Sequence, residues 1–197
     1  MFVGQDKILG KCNVIPHKIE VDPLLPPIRK RCYRMSPDKQ RILEGILNEM
    51  LDQGIIEESV SEWAAPCLLI AKKNNSGWRF VVDYRGINQA IKLSAYPLPS
   101  AQESLENIGV NNPRYFSLLD CQSGFFQCVL DPDSKKYTAF RCHMGQFQFT
   151  TTPQGMRHSS VTYQRMMEAI LRGLQYKTCL IYLDDVIIMS PSFEKHL

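Results

Sequence analysis

The chain predicts an α+β fold built on antiparallel sheet, and three observations carry that expectation. Apolar runs with strand character come in pairs joined by short polar loops. Amphipathic segments with recognisable caps read as helices between them. The alternation of the two lacks the even rhythm of a doubly wound parallel sheet. At 197 residues the chain is long enough to bury a substantial core.

Residues 1–35 read as an irregular lead-in rich in proline ("DPLLPPIRKR"). A helix follows in "MSPDKQRILEGILNEMLDQG". Ser36 is placed to cap it, Pro37 suits its first position, Asp38 favours the positive end of its dipole, and Gly54 closes it. Ile42, Ile46, Leu47, Met50 and Leu51 form its expected buried stripe. "APCLLIAK" and "WRFVVDYR", joined by "KNNSG", predict a hairpin. Ser100 and Glu103 predict a capping box at the head of "SAQESLENI". "RYFSLLD" is a strand ending at Asp120, and "KKYTAFRCHMGQFQFTT" reads as a second hairpin turning at 143–145. A long helix over 159–173 should turn Tyr163, Met166, Met167, Ile170, Leu171 and Leu174 inward. "CLIYLDDVIIMS" is a last hairpin, and "SPSFEKHL" begins as a helix.

Net charge is only +3, which by itself implies no nucleic-acid partner. One run, "IRKRCYR", concentrates Arg29, Lys30, Arg31 and Arg34, and its bland reading is a solvated loop. The seven cysteines are scattered without a CxxC pair, and the four histidines show no ligand spacing, which argues against zinc and for a reducing compartment. Charges interrupt the apolar residues of the N-terminus too often for a signal peptide, and no run has the length of a membrane span. The expectation is an intracellular chain with no membrane partner.

Asp184 and Asp185 stand adjacent inside the apolar run of the last hairpin. At a separation of about 4 Å and an effective dielectric near 20, two such charges repel by roughly 4 kcal/mol. A hairpin turn at the sheet surface relieves part of that cost, and an exposed Asp-Asp turn is the bland reading. A third acid, Asp120, closes a strand that a strand–helix–hairpin path can bring beside Asp184. Three clustered carboxylates suit Mg²⁺, which takes oxygen ligands and leaves positions open for phosphates. Two such ions can drive phosphoryl transfer. "DPDSKK" lacks the glycine and glutamate of a calcium loop, and neither GxxxxGK[ST] nor GxSxG occurs.

Taken together, these stretches resemble reverse transcriptases of Gypsy-type LTR retrotransposons. "YLDD" (182–185) resembles the YxDD box, and "FSLLDCQSGFFQ" (116–127) the strand and turn that carry the first catalytic aspartate. "TPQG" (152–155) resembles the PQG element and "KKYTAF" (135–140) a retroviral polymerase phrase. "LDQGIIEESVSEWAAPCLLIAKKNNSGWRFVVDYRGIN" (51–88) is similar to the fingers region, and "LGKCNVIPHKIE" to the linker after the protease. Three phrases depart from the Gypsy-type pattern, the first being "TPQG", which carries the retroviral-type glutamine where such elements usually show PFG. "SEW" (61–63) stands where serine-proline-tryptophan is usual, and "RHSSVTYQ" (157–164) where "NAPATFQ" would be expected.

The resemblance implies the fingers and palm of a right-hand polymerase, with the palm a βαββ-type antiparallel sheet backed by helices. It implies fingers at 36–99 and a palm at 100–197, with 131–153 contributing partly to the fingers. Asp120, Asp184 and Asp185 would be catalytic and would bind two Mg²⁺ ions, with Mn²⁺ a substitute and the Cys121 carbonyl assisting. Lys72 (or Lys73), Arg79, Phe125 and Gln154 would bind the deoxynucleotide, and Phe125 would exclude a ribose 2′-hydroxyl by simple sterics. Asp83, Arg85 and Arg157 would lie along the template. The implied partners are deoxynucleotides, an RNA or DNA template with its primer, and the thumb, connection and RNase H regions of a parent polyprotein, which are absent here. The implied setting is cytoplasm, virus-like particle or nucleus. Two other readings stay open: a truncated, catalytically incomplete nucleic-acid-binding remnant, and a metal-dependent phosphohydrolase or nuclease.

Overall fold

The computed structural model describes residues 9–73, 76–94, 96–97, 100–110 and 112–197. Two expectations fall partly outside them: the middle of the "KNNSG" loop and the first residues of the lead-in. Among these residues helices mix with three sheets, so the α+β expectation holds.

The lead-in is not irregular throughout. Cys12–His17 forms strand β1, which pairs in parallel with β6 (Cys128–Leu130). Pro16 is tolerated because β1 is an edge strand. Sequence alone did not show this strand because its partner lies more than a hundred residues away. Helix α1 (Pro37–Asp52) begins after Ser36 and turns back through Gly54 at φ 62°. Its fully buried residues are Leu43, Leu47 and Met50, with Ile42, Ile46 and Leu51 only partly covered. The expected stripe is therefore centred one position away, on Leu43.

β2 (Ile56–Glu58), β3 (Ala65–Ala71), β4 (Trp78–Val82), β7 (Phe140–Cys142) and β8 (Gly145–Phe149) form one sheet in the order β2-β8-β7-β3-β4. The expected β3–β4 hairpin is antiparallel, while β3 and β7 run parallel, with Pro66 opposite Arg141. "KKYT" is no strand. It belongs to a 3-10 turn, Pro132–Thr138, because Asp131 caps the Asp133 amide and Pro132 presets the first turn. Helix α2 (Arg85–Ala90) follows β4 directly.

Helix α3 (Ala101–Val110) carries the expected capping box: the Glu103 amide donates to Ser100 Oγ at 3.0 Å, and the Ser100 amide to Glu103 Oε2 at 3.2 Å. β5 (Tyr115–Asp120), β9 (Cys179–Tyr182) and β10 (Asp185–Ser190) make a second, antiparallel sheet in the order β5-β10-β9. Between them lie a single turn, α4 (Gly124–Gln127), and α5 (Ser159–Ile170). Tyr163, Met166 and Met167 pack inward on Cys179, Ile181 and Val186. The helix ends three residues earlier than expected, so Ile170 and Leu174 are each 49% exposed instead of buried. Among the described residues no helix is long and apolar enough to cross a membrane.

Candidate active site

The carboxylates are placed by strand register. In the β5–β10 ladder Asp120 lies directly opposite Asp185, so their side chains leave the same face of the sheet. Asp184 is in the two-residue turn between β9 and β10, whose other member, Leu183, has φ 56°. That left-handed backbone is unfavourable for leucine and needs support. Gln164 of α5 supplies it: its side-chain carbonyl accepts the Leu183 N–H at 2.7 Å, and its amide donates to the Ile181 carbonyl at 3.3 Å. Gln164 also donates to Glu168 at 2.8 Å and is wholly buried.

Asp120, Asp184 and Asp185 are exposed, and among the described residues none makes an ion pair. They do not close into a three-ligand group: no set of three acidic, histidine or cysteine side chains among the described residues could hold an ion as placed. The donor chemistry nevertheless fits a hard divalent cation, since three unpaired carboxylates gather at one sheet end. The Cys121 carbonyl already accepts the Gly124 N–H at 3.1 Å, which leaves one lone pair free.

Just beyond Asp120 the chain passes through Ser123 at φ 50° into α4. Gly124 is required there, because a Cβ would collide with the Tyr163 ring and hydroxyl. Tyr163 in turn lies under Phe125, with ring centroids 5.1 Å apart. Burial, then a hydrogen bond with Cys121, pushes the Tyr163 hydroxyl well above its ordinary pKa, and the charges of Asp184 and Asp120 act in the same direction. It stays a neutral prop beneath the site.

A cleft of about 980 Å³ opens between these elements and the β3–β4 hairpin. Lys72, Arg79, Phe125, Gln154 and Asp184 all line it. Lys72 is on this cleft, whereas Lys73 is not among its lining residues. Arg79 reaches it from β4, where it pairs with Ile70. Gln154 is exposed on the loop before α5, and Gly155 beside it takes φ 84°. Sequence reasoning passed over Asn88, which pins that loop by donating to the Gly155 carbonyl at 2.9 Å and accepting the Arg157 N–H at 2.8 Å. Gln164 was passed over too, and Tyr163 was expected only as a core residue, because a polar or aromatic residue on a buried helix face has no sequence mark separating support from packing.

Asp83 and Arg85 lie apart from this cleft, on a cavity of about 400 Å³ shared with Lys30, Arg31 and Tyr33. Arg85 grips Asp83 with two bonds of 2.8 and 2.7 Å, and the Tyr33 hydroxyl donates to it at 2.7 Å. The Arg85 bond, then that of Tyr33, holds the Asp83 carboxyl far below the usual range. The basic run thus joins Asp83 and Arg85, a link its charge pattern alone could not reveal. Arg157 is elsewhere again: its Nη1 donates to the carbonyls of Asn88 at 2.9 Å and Ile91 at 3.1 Å.

A family model described as reverse transcriptase (RNA-dependent DNA polymerase) matches residues 70–197. The chain belongs to the reverse transcriptase family. It is 37% identical over 175 residues to the retrovirus-related Pol polyprotein from transposon 297 of Drosophila melanogaster, a match covering 87% of this chain and 16% of that polyprotein. The enzymatic polyprotein of figwort mosaic virus (strain DxS) is 37% identical over 179 residues, covering 89% of this chain and 26% of the viral protein. The chain therefore spans only 16–26% of these relatives' length. The transposon match bears out the retrotransposon-type reverse transcriptase resemblance. Native prototype foamy virus protease-reverse transcriptase superposes with a TM-score of 0.84 at 25% identity, over 97% of this chain and 26% of that one. Foamy viral protease-reverse transcriptase in complex with an RNA/DNA hybrid gives 0.79 at 22% identity, over 95% and 25%, and speaks to the reverse transcriptase fold alone.

Proposed function

We propose that this chain forms the fingers and palm of an RNA-directed DNA polymerase that transfers deoxynucleotides onto a primer 3′-hydroxyl. On this reading 36–99 are fingers, 100–197 palm with 131–153 lending strands to the fingers sheet, and 1–35 a lead-in. One observation carries it: Lys72, Arg79, Phe125, Gln154 and Asp184 meet on a single cleft. The reaction is attack of the primer 3′-oxygen on the α-phosphorus, with loss of pyrophosphate. Lys72 and Arg79 take the triphosphate, the guanidinium offering a fork that suits phosphate oxygens. Phe125, propped by Tyr163, stands against the sugar and leaves no room for a 2′-oxygen. Gln154 contacts the incoming nucleotide, and Gly155 allows the backbone to approach it.

Asp120, Asp184 and Asp185, with the Cys121 carbonyl, would hold two Mg²⁺ ions, or Mn²⁺ in their place. Bound there, such ions supply activation of the primer hydroxyl and neutralisation of charge on the leaving group. Asp83 and Arg85 lie along the template, and the neighbouring Lys30 and Arg31 add the phosphate-directed charge that gives sequence-independent affinity. Arg157 meets the template only with the donors its two carbonyl bonds leave free. On this reading the partner is a template–primer duplex, the class of ligand held by the foamy viral protease-reverse transcriptase that shares this fold. Seven free thiols fit an intracellular, reducing setting.

A second reading is a fragment that binds nucleic acid without catalysis, since the chain spans only 16–26% of the length of the relatives above. Primer extension on an oligo(dT)-primed RNA template, in Mg²⁺ and in Mn²⁺, separates the two. The expected result is extension by the chain and none by Asp184→Asn. Retained primer–template binding with no extension from either protein would establish the second reading instead.

A further inference from the structure

Three cysteines far apart in sequence meet on the five-stranded sheet. Cys32 of the basic segment, Cys67 of β3 and Cys142 of β7 line a cavity of about 320 Å³ together with Arg34, Arg141 and His143. It shares no lining residue with the cleft that holds Asp184. Cys32 Sγ and Cys67 Sγ approach one acceptor, the Arg141 carbonyl oxygen, at 3.5 and 3.6 Å. Pro66 is opposite Arg141 in the parallel β3–β7 pairing, so the next residues along, Cys67 and Cys142, are neighbours across it with their side chains on the same face. Adjacent strands lie about 4.8 Å apart. That falls within the Cα separation a disulfide can span, roughly 4.4–6.8 Å.

The three thiols differ in access. Cys67 is buried, Cys142 is partly exposed and Cys32 is exposed. Interaction with the adjoining Cys67 thiol lowers the pKa of the Cys142 thiol despite burial, and the field of His143 helps, while Cys67 itself is pushed up. An electropositive, partly open environment of this kind is where reactive cysteines occur.

We propose that Cys67 and Cys142 form a peroxide-sensitive dithiol that closes to a disulfide within the sheet. The Cys142 thiolate attacks one oxygen of hydrogen peroxide, the O–O bond breaks, and the products are a sulfenic acid and water once the leaving hydroxide is protonated. The Cys67 sulfur then attacks the Cys142 sulfur, the S–O bond breaks, and the oxygen leaves as a second water with the Cys67 proton. The two thiols lose two electrons and the peroxide gains them. Cys142 is the attacking sulfur because it is the more accessible and more ionised of the pair, and Cys67 is the resolving one. The dithiol is independent of the polymerase reading.

The test uses the full chain, reduced and then treated with an equimolar amount of hydrogen peroxide. Remaining thiols are alkylated and the unreduced tryptic peptides mapped; cleavage after Arg31, Arg141 and the lysines and arginines between them puts the three cysteines on different peptides. The expected result is a fall from seven free thiols to five, a link between the Cys67 and Cys142 peptides, and its loss on treatment with dithiothreitol. Cys67→Ser should abolish the link and leave Cys142 trapped as a sulfenic acid that dimedone labels. First oxidation at Cys32, a link that includes Cys32, or oxidation spread evenly over the seven cysteines would overturn the proposal. The unsubstituted chain carries this test even if the serine variant does not fold.

Discussion

In the five-stranded sheet Ala65, Cys67, Phe140, Phe147 and Phe149 are buried, and α1 seals them with Leu43, Leu47 and Met50. In the three-stranded sheet α5 covers Ile181 and Val186, but the edge strand β5 leaves Phe116 55%, Leu118 65% and Leu119 49% exposed. The two regions therefore draw their stability from different sources. The first rests on apolar area removed from water, with Phe140 touching three other rings. The second, which carries the three aspartates, rests on particular polar and steric contacts: Gln164 against the β9–β10 turn, Gly124 against Tyr163, and His17 of β1 against α5.

Truncation separates the two most sharply. Leu43→Ala in the sealed core should lower the free energy of unfolding by about 2–5 kcal/mol. Leu118→Ala on the open strand should change it by no more than about 0.5 kcal/mol, because little area is lost there. Urea unfolding of both variants reads this directly. Similar losses would break the comparison and show that β5 is as well covered as β7.

The second region should also be the acid-sensitive one. His17 is fully buried, with Nδ1 and Thr162 Oγ1 2.7 Å apart and no partner for Nε2 among the described residues. Burial, and to a lesser degree the nearby His158, lowers its pKa from 6.5 to about 4. The folded chain thus keeps His17 neutral where the unfolded chain would protonate it. Below pH 6.5 the unfolded state binds the extra proton, so stability falls with pH until the folded histidine also titrates near 4. The loss across that window is about 3 kcal/mol. His17→Gln should flatten this limb of the stability–pH curve whatever its offset at neutral pH. An unchanged slope would show that His17 is not the titrating group.

What the sequence made legible follows the same division. The β3–β4 hairpin, the capping box at Ser100 and the β9–β10 hairpin were readable because their signals lie within a few residues of one another. β1 was not, since its partner strand is remote and Pro16 argues against a strand. The 3-10 turn over "KKYT" was hidden by strand-like composition, which Asp131 and Pro132 override. At the site, the residues that carry charge or a family motif could be named in advance. The ones that hold them, Gln164, Tyr163 and Asn88, are defined only by what they touch after folding.

Gln164 gives the finest test of the second region. Its side-chain carbonyl accepts the Leu183 N–H at 2.7 Å, in a turn whose φ of 56° suits glycine better than leucine. Gln164→Ala leaves that N–H and the Ile181 carbonyl without their side-chain partner, and should cost about 1–3 kcal/mol in unfolding free energy. Gln164→Glu keeps an acceptor for Leu183 but sets a buried carboxylate against Glu168 and the Ile181 carbonyl, so near neutral pH it should cost at least as much as Gln164→Ala. Because the turn carries Asp184, the polymerase reading predicts that primer extension falls further in both variants than the loss of folded protein explains. Extension that tracks only the folded fraction in both variants would mean that the turn keeps its shape without the clamp, and that the three-stranded sheet is more self-sufficient than its open edge implies.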